Sequence, residues 1–79
     1  MKMTPQYLMV RTDAIVMDKA LTRVSDGLGI LSAHGIVSEH DAIVLVNKFA
    51  CGIAEYIADR LPIEQANAVI EELCKEGLD

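Results

Sequence analysis

The sequence predicts an all-α fold: an antiparallel hairpin of two long helices, with a shorter third helix, assembled into a homo-oligomeric bundle. Two observations predict it. Apolar residues recur at alternating spacings of three and four from Tyr7 to Leu31, which is the pattern of one long amphipathic helix. Two further helical patterns follow after short turns, and short connections make successive helices antiparallel neighbours. We expect one domain, residues 1–79, with helices at about 5–34, 38–61 and 62–76.

The first helix carries start and stop signals. Thr4 is a favourable N-cap, and Pro5 at the first helical position gives up only a backbone donor that has no partner there. Gly35 ends the helix, since glycine readily adopts the left-handed conformation found just beyond a C-cap. The segment 7–16 is rich in β-branched residues, which are poor helix formers, so a short strand or an extended arm remains an alternative there.

The second and third helices have equally clear start and stop signals. Ser38 with Asp41 three residues later resembles a capping box, and Pro62 ends one helix and opens the next. The second helix has two apolar stripes, so we expect neighbours on more than one side, with Leu45 and Phe49 deep in the core. The apolar face of the third helix comprises Ile63, Ala66, Val69, Ile70 and Leu73.

The composition predicts self-association. Hydrophobic residues make up 52% of the 79 residues and the mean hydropathy is +0.30, yet the longest strictly apolar run, 42–46, is far too short to span a bilayer. So small a chain also has a marginal core. We therefore expect no membrane association and at least a dimer. The predicted oligomer interface is Tyr7, Val10, Met17, Leu21, Val24, Leu28, Leu31, Leu45, Phe49 and Tyr56.

The charge is distributed unevenly. Residues 1–36 carry four basic and three acidic side chains, whereas residues 37–79 carry three basic and nine acidic ones, for a net charge of −5. An acidic half repels phosphate backbones, which disfavours nucleic acid as a partner. Glu71, Glu72 and Glu76 lie near a helix C-terminus, where the helix dipole disfavours negative charge, so we expect them to bind a basic protein partner.

Two polar clusters resemble binding sites only weakly. His34 and His40 lie six residues apart across a turn, which matches no standard zinc spacing, so we expect helix capping there and neither a metal nor another cofactor. A cationic strip for an anionic ligand is the other candidate, although aspartates interleave with it as on an ordinary solvated face. Its residues are Arg11, Lys19 and Arg23.

These observations favour binding over catalysis. The sequence contains no phosphate loop and no pairing of a nucleophile with an adjacent base. Neither a secretory leader nor a spaced disulfide framework is evident, so we expect a cytoplasmic protein. The expected function is a non-enzymatic regulatory or inhibitory module that binds itself and an unidentified protein. Two alternatives remain: a small anionic-ligand-binding protein, and a DNA-binding regulator that uses the turn at Pro62.

Overall fold

The computed structural model describes residues 3–77, with side chains described to residue 75. These residues form three helices and no strand: α1 (Pro5–Ala33), α2 (Glu39–Arg60) and α3 (Ile63–Gly77). The all-α class is therefore confirmed, and each helix begins and ends within one residue of the expected position. Residues 7–16 belong to α1, so neither the strand nor the extended arm occurs there.

The predicted signals act at the helix ends. The Thr4 side chain accepts a hydrogen bond from the Tyr7 backbone N–H at 3.1 Å, and the Ser38 side chain accepts one from Asp41 at the same distance. After α1, Gly35 adopts a φ of +73°. The backbone N–H groups of Gly35 and Ile36 donate to the carbonyls of Ser32 and Leu31, which completes a Schellman turn.

The hydrophobic core lies at one end of the molecule. It joins the first turns of α1 to the last turns of α2 and to α3. The helix lengths explain this position, since α1 has 29 residues and extends about 43 Å, whereas the 15 residues of α3 extend only about 22 Å. The buried core residues are Tyr7, Val10, Ala14, Ile53, Ile57, Leu61, Ala66 and Val69.

The remainder of α1 and α2 extends beyond α3. We call residues 22–49 the arm and the rest of the described chain the three-helix end. Within the arm, all of which is described, Ala42 is the only buried residue. The radius of gyration is 14.4 Å, against about 12 Å for a compact chain of this length, and the extents are 48 × 23 × 17 Å.

Three residues expected in the core are exposed. Leu45 and Phe49 in the arm retain 47% and 38% of their surface, and Ile63 retains 77%. α2 has both α1 and α3 as neighbours, but α3 packs on the stripe that carries Ile53 and Ile57, and neither helix covers Leu45 and Phe49 on the other stripe. Ile63 is the first residue of α3, where the helix has only begun to approach the core.

Candidate functional site

The three-helix end is held by polar contacts as well as by its core. Tyr56 on α2 donates a hydrogen bond of 2.6 Å from its hydroxyl to the Asp13 carboxylate on α1. The Arg60 guanidinium lies 3.7 Å from the centre of the Tyr56 ring, and Gln6 donates to the Arg60 carbonyl at 2.8 Å. The hydrogen bond to Asp13 raises the pKa of Tyr56 above its usual value, since an ionised phenol would lose that bond and face a carboxylate.

An ion pair connects α1 to α3 at the same end. Arg11 donates from Nε to Glu72 Oε2 at 2.8 Å and from Nη2 to Glu72 Oε1, so the guanidinium holds the carboxylate through two bonds. Both side chains are about one-third exposed. These hydrogen bonds lower the pKa of Glu72 below its usual range. The Asp13–Tyr56 hydrogen bond and the Arg11–Glu72 ion pair are thus both contacts within the chain.

A groove runs along one side of the pair formed by α1 and α2. Its near section, of about 460 Å³, is bounded by Leu21 on α1, by Ile53 and Ile57 on α2, and by Ile70 and Leu73 on α3. Its far section, of about 520 Å³, is bounded by α1 and α2 alone, with Gly29, Ile43 and Val46 among its lining residues. We call this side, which α3 covers only in part, the front groove.

The opposite side of the arm carries a second apolar surface, the back face, formed by Val24, Leu31, Leu45 and Phe49. Val24 and Leu31 follow Asp13 by 11 and 18 residues, and Phe49 and Leu45 precede Tyr56 by 7 and 11. Each interval is close to a whole number of helical turns.

The four residues therefore continue the side of the molecule on which Asp13 and Tyr56 meet. None of them lines the front groove. All four are exposed, by 37% to 47%.

The structure separates the predicted oligomer interface into three groups. Tyr7 and Val10 are buried within the chain, at 4% and 0% exposure, while Met17, Leu21 and Tyr56 pack against the core. A partner has no access to Tyr7 and Val10, whereas the other three are partly exposed and Leu21 also bounds the near section of the front groove. Leu28 lines the front groove. The remaining members are the four residues of the back face.

The other predicted binding residues are scattered. Arg11 is bonded to Glu72, and Lys19 follows it by eight residues, about 12 Å along the helix. Of the three carboxylates expected to bind a partner, Glu71 is exposed, Glu72 is engaged by Arg11, and the side chain of Glu76 lies outside the described residues.

The remaining candidate sites are poorly assembled. Among the described residues, no group of three or more His, Cys, Asp or Glu side chains is placed to hold a metal ion. Cys51 and Cys74 are exposed free thiols. Within residues 3–77 no helix is both long and apolar enough to cross a membrane.

Sequence reasoning missed the contacts that Asp13 and Gln6 make with α2. A polar residue beside an apolar seam is the available signal, but periodicity does not identify its partner on another helix.

Comparison of the chain with protein-family models, with curated proteins and with solved structures finds no match.

Proposed function

We propose that this chain is a small non-enzymatic protein-binding module, regulatory or inhibitory in role, that acts as a helical homo-oligomer. The observation that carries the proposal is the arm, where two helices present apolar side chains on both sides with one buried residue between them. Exposed apolar patches of this kind on soluble chains are typical of interaction sites. We take α1 and α2 as an antiparallel hairpin, since Gln6 near the start of α1 bonds to Arg60 at the end of α2.

The two ends of the molecule have different parts in this proposal. The arm carries two basic and three acidic side chains, a net charge of −1. The three-helix end carries four basic and eight acidic ones, a net charge of −4. The arm is therefore suited to apolar self-association, and the three-helix end to a basic protein partner through electrostatic attraction.

The alternatives have less support. An anion site on α1 would compete with Glu72 for the Arg11 guanidinium. A DNA-binding role would place the acidic three-helix end against phosphates. The free thiols of Cys51 and Cys74 fit a reducing compartment, so we propose a cytoplasmic location.

Affinity capture from native lysate tests the partner, with two variants that each remove two negative charges. The Glu71→Gln/Glu76→Gln variant acts at the three-helix end, and the Glu39→Gln/Asp41→Asn variant acts in the arm. We expect the first to lose a captured basic protein at physiological salt, and the second to retain it as the wild type does. Equal capture by both variants would contradict the assignment of partner binding to the acidic end.

A further inference from the structure

We infer that the back face of the arm is the surface on which a second copy of this chain packs, so that two arms form a four-helix bundle. The inference rests on the proposed function and deepens it, since it names the occupant and the side of the arm that it covers. Three independent observations support it: the excess of exposed area, the charge of the arm, and the glycines beside the back face.

The exposed area matches what a second copy would cover. The chain exposes 5696 Å², whereas a compact monomer of 8.6 kDa exposes about 4,700 Å². The difference of about 1,000 Å² is close to the roughly 800 Å² that each partner buries in a stable complex. Because Ala42 is the arm's only buried residue, much of this excess surface lies there.

The charges favour the arm over the other end for self-association. Two copies that met through their three-helix ends would bring a net charge of −4 against another of −4. Two arms meet with a net charge of only −1 each. A two-fold symmetric contact places the same patch of both copies together, so a patch near neutrality is the one that can face itself.

Two glycines border the back face without a role within the chain. Gly27 lies four residues before Leu31, and Gly52 lies three after Phe49, so both are neighbours of the back face along their helices. Glycine is unfavourable in helix interiors relative to alanine. A Cβ atom added at either position would meet nothing within 4 Å. The same is true of Gly29 in the front groove, so the glycines leave room for a helix of a second copy to approach closely but do not by themselves select the side of the arm.

The position of α3 favours the back face over the front groove as the site of the second copy. The near section of the front groove is already covered by α3 of the same chain, which limits how a long partner helix can lie in it. On the back side, the contact that continues this face at the three-helix end, Asp13 with Tyr56, joins α1 to α2, whereas Ile70 and Leu73 of α3 line the front groove. Two long helices can therefore meet there along several turns, as in a four-helix bundle.

Sedimentation equilibrium on the full chain and on two matched variants tests the inference. Leu45→Glu places a charge on the back face, and Ile43→Glu places the same charge in the front groove two residues away. Both side chains are about half exposed, so both variants should keep the fold of the single chain. We expect a wild-type dimer, a loss of affinity of more than about a hundredfold for Leu45→Glu, and a change within about threefold for Ile43→Glu.

A second pair of variants tests the same interface without a charge that could cause misfolding. Gly27→Ala and Gly29→Ala raise helix propensity equally, but only Gly27 borders the back face. We expect Gly27→Ala to weaken the dimer by roughly tenfold or more and Gly29→Ala to leave it unchanged. Circular dichroism at a dilution where all variants are monomeric reports the fold.

The outcomes separate the two proposals. A wild-type chain that stays at 8.6 kDa at a concentration of about 100 µM would overturn both the inferred interface and the proposed oligomer. A dimer that Ile43→Glu dissociates as strongly as Leu45→Glu, or more strongly, would overturn the inferred interface alone. The proposed homo-oligomer would then stand, with another surface as its interface.

Discussion

The three-helix end and the arm are built from the same two helices, yet only one of them has an interior. At the three-helix end eight residues are buried, and polar contacts link Asp13 to Tyr56 and Arg11 to Glu72. In the arm the same helices lie side by side with a single buried residue. Two helices cannot enclose a core between them, because each has only one side that faces the other. The third helix makes the difference, and the arm is the part of the chain that it does not reach.

The largest expected difference between the two regions concerns large-to-small substitutions. Ile57→Ala should lower the free energy of unfolding by about 2–5 kcal/mol, because Ile57 is fully buried at the three-helix end. Phe49→Ala, which removes more atoms from the arm, should cost the isolated chain less than Ile57→Ala does, because Phe49 is 38% exposed. Urea unfolding at a concentration below self-association measures both.

The deep burial of Phe49 expected from the sequence would instead make Phe49→Ala cost roughly 3–5 kcal/mol. A loss of that size in the monomer would show that the arm has an interior after all. If a second copy covers the back face, the cost of Phe49→Ala should increase at higher protein concentration.

Removal of either N-cap should have an intermediate effect on the unfolding free energy. The two caps lie in different regions, so the two variants also compare the three-helix end with the arm. Thr4→Ala and Ser38→Ala should each lower stability by about 1 kcal/mol, because each leaves a backbone N–H without its partner. Amide hydrogen exchange should distinguish them. In Ser38→Ala the faster exchange should be confined to the arm, whose amides open locally, whereas in Thr4→Ala it should extend to residues that exchange by global unfolding. Identical exchange patterns would indicate that the chain unfolds as one unit.

A glycine in the arm offers a test of opposite sign. Gly29→Ala should raise the unfolding free energy by up to about 1 kcal/mol, because alanine favours the helix and the new Cβ meets nothing within 4 Å. Thermal unfolding followed by circular dichroism at high dilution should show a higher midpoint for Gly29→Ala than for the wild type. A destabilising effect would mean that the arm's backbone is held more tightly than its exposure suggests.

The smallest expected effect belongs to the ion pair of the three-helix end. Glu72→Gln should lower stability by up to about 1 kcal/mol at neutral pH, since both partners are partly exposed. The pKa of Glu72 is lower in the folded chain than in the unfolded one, so its contribution is present above the ordinary carboxyl pKa and disappears as the pH falls through the folded value. The difference in unfolding free energy between wild type and Glu72→Gln should therefore stay constant near neutral pH. It should shrink as the pH falls below the ordinary carboxyl pKa of about 4.

The same ion pair revises an expectation about the acidic residues. The helix dipole disfavours Glu71, Glu72 and Glu76, which by itself would make their replacement by glutamine neutral or stabilising. Because Glu72 holds Arg11, a variant that includes Glu72 should lose stability, and only Glu71 and Glu76 suit a test of binding alone.

The sequence was sufficient to predict the helices but not to predict which parts of them are buried. Caps such as Thr4 and Ser38 act within one turn, so local pattern identifies them. The burial of Phe49 depends on which side of α2 the third helix packs against, and the periodicity of α2 does not determine that side. The same limit applies to the candidate site. The apolar pattern predicted that a partner is needed, but the separation of back face from front groove depends on how α1 and α2 turn toward each other.

The position of the core also determines when the chain can fold. Its members come from residues 7–14 and from residues 53–69, so nearly forty residues lie between the two parts of the core that must meet. Such non-local closure carries an entropic cost and slows folding relative to bundles stabilised by local contacts. During synthesis, the turn at Gly35 can form early, but it brings together almost no apolar surface that becomes buried. The stable structure must therefore wait until α3 has emerged, although the whole arm is synthesised before α3.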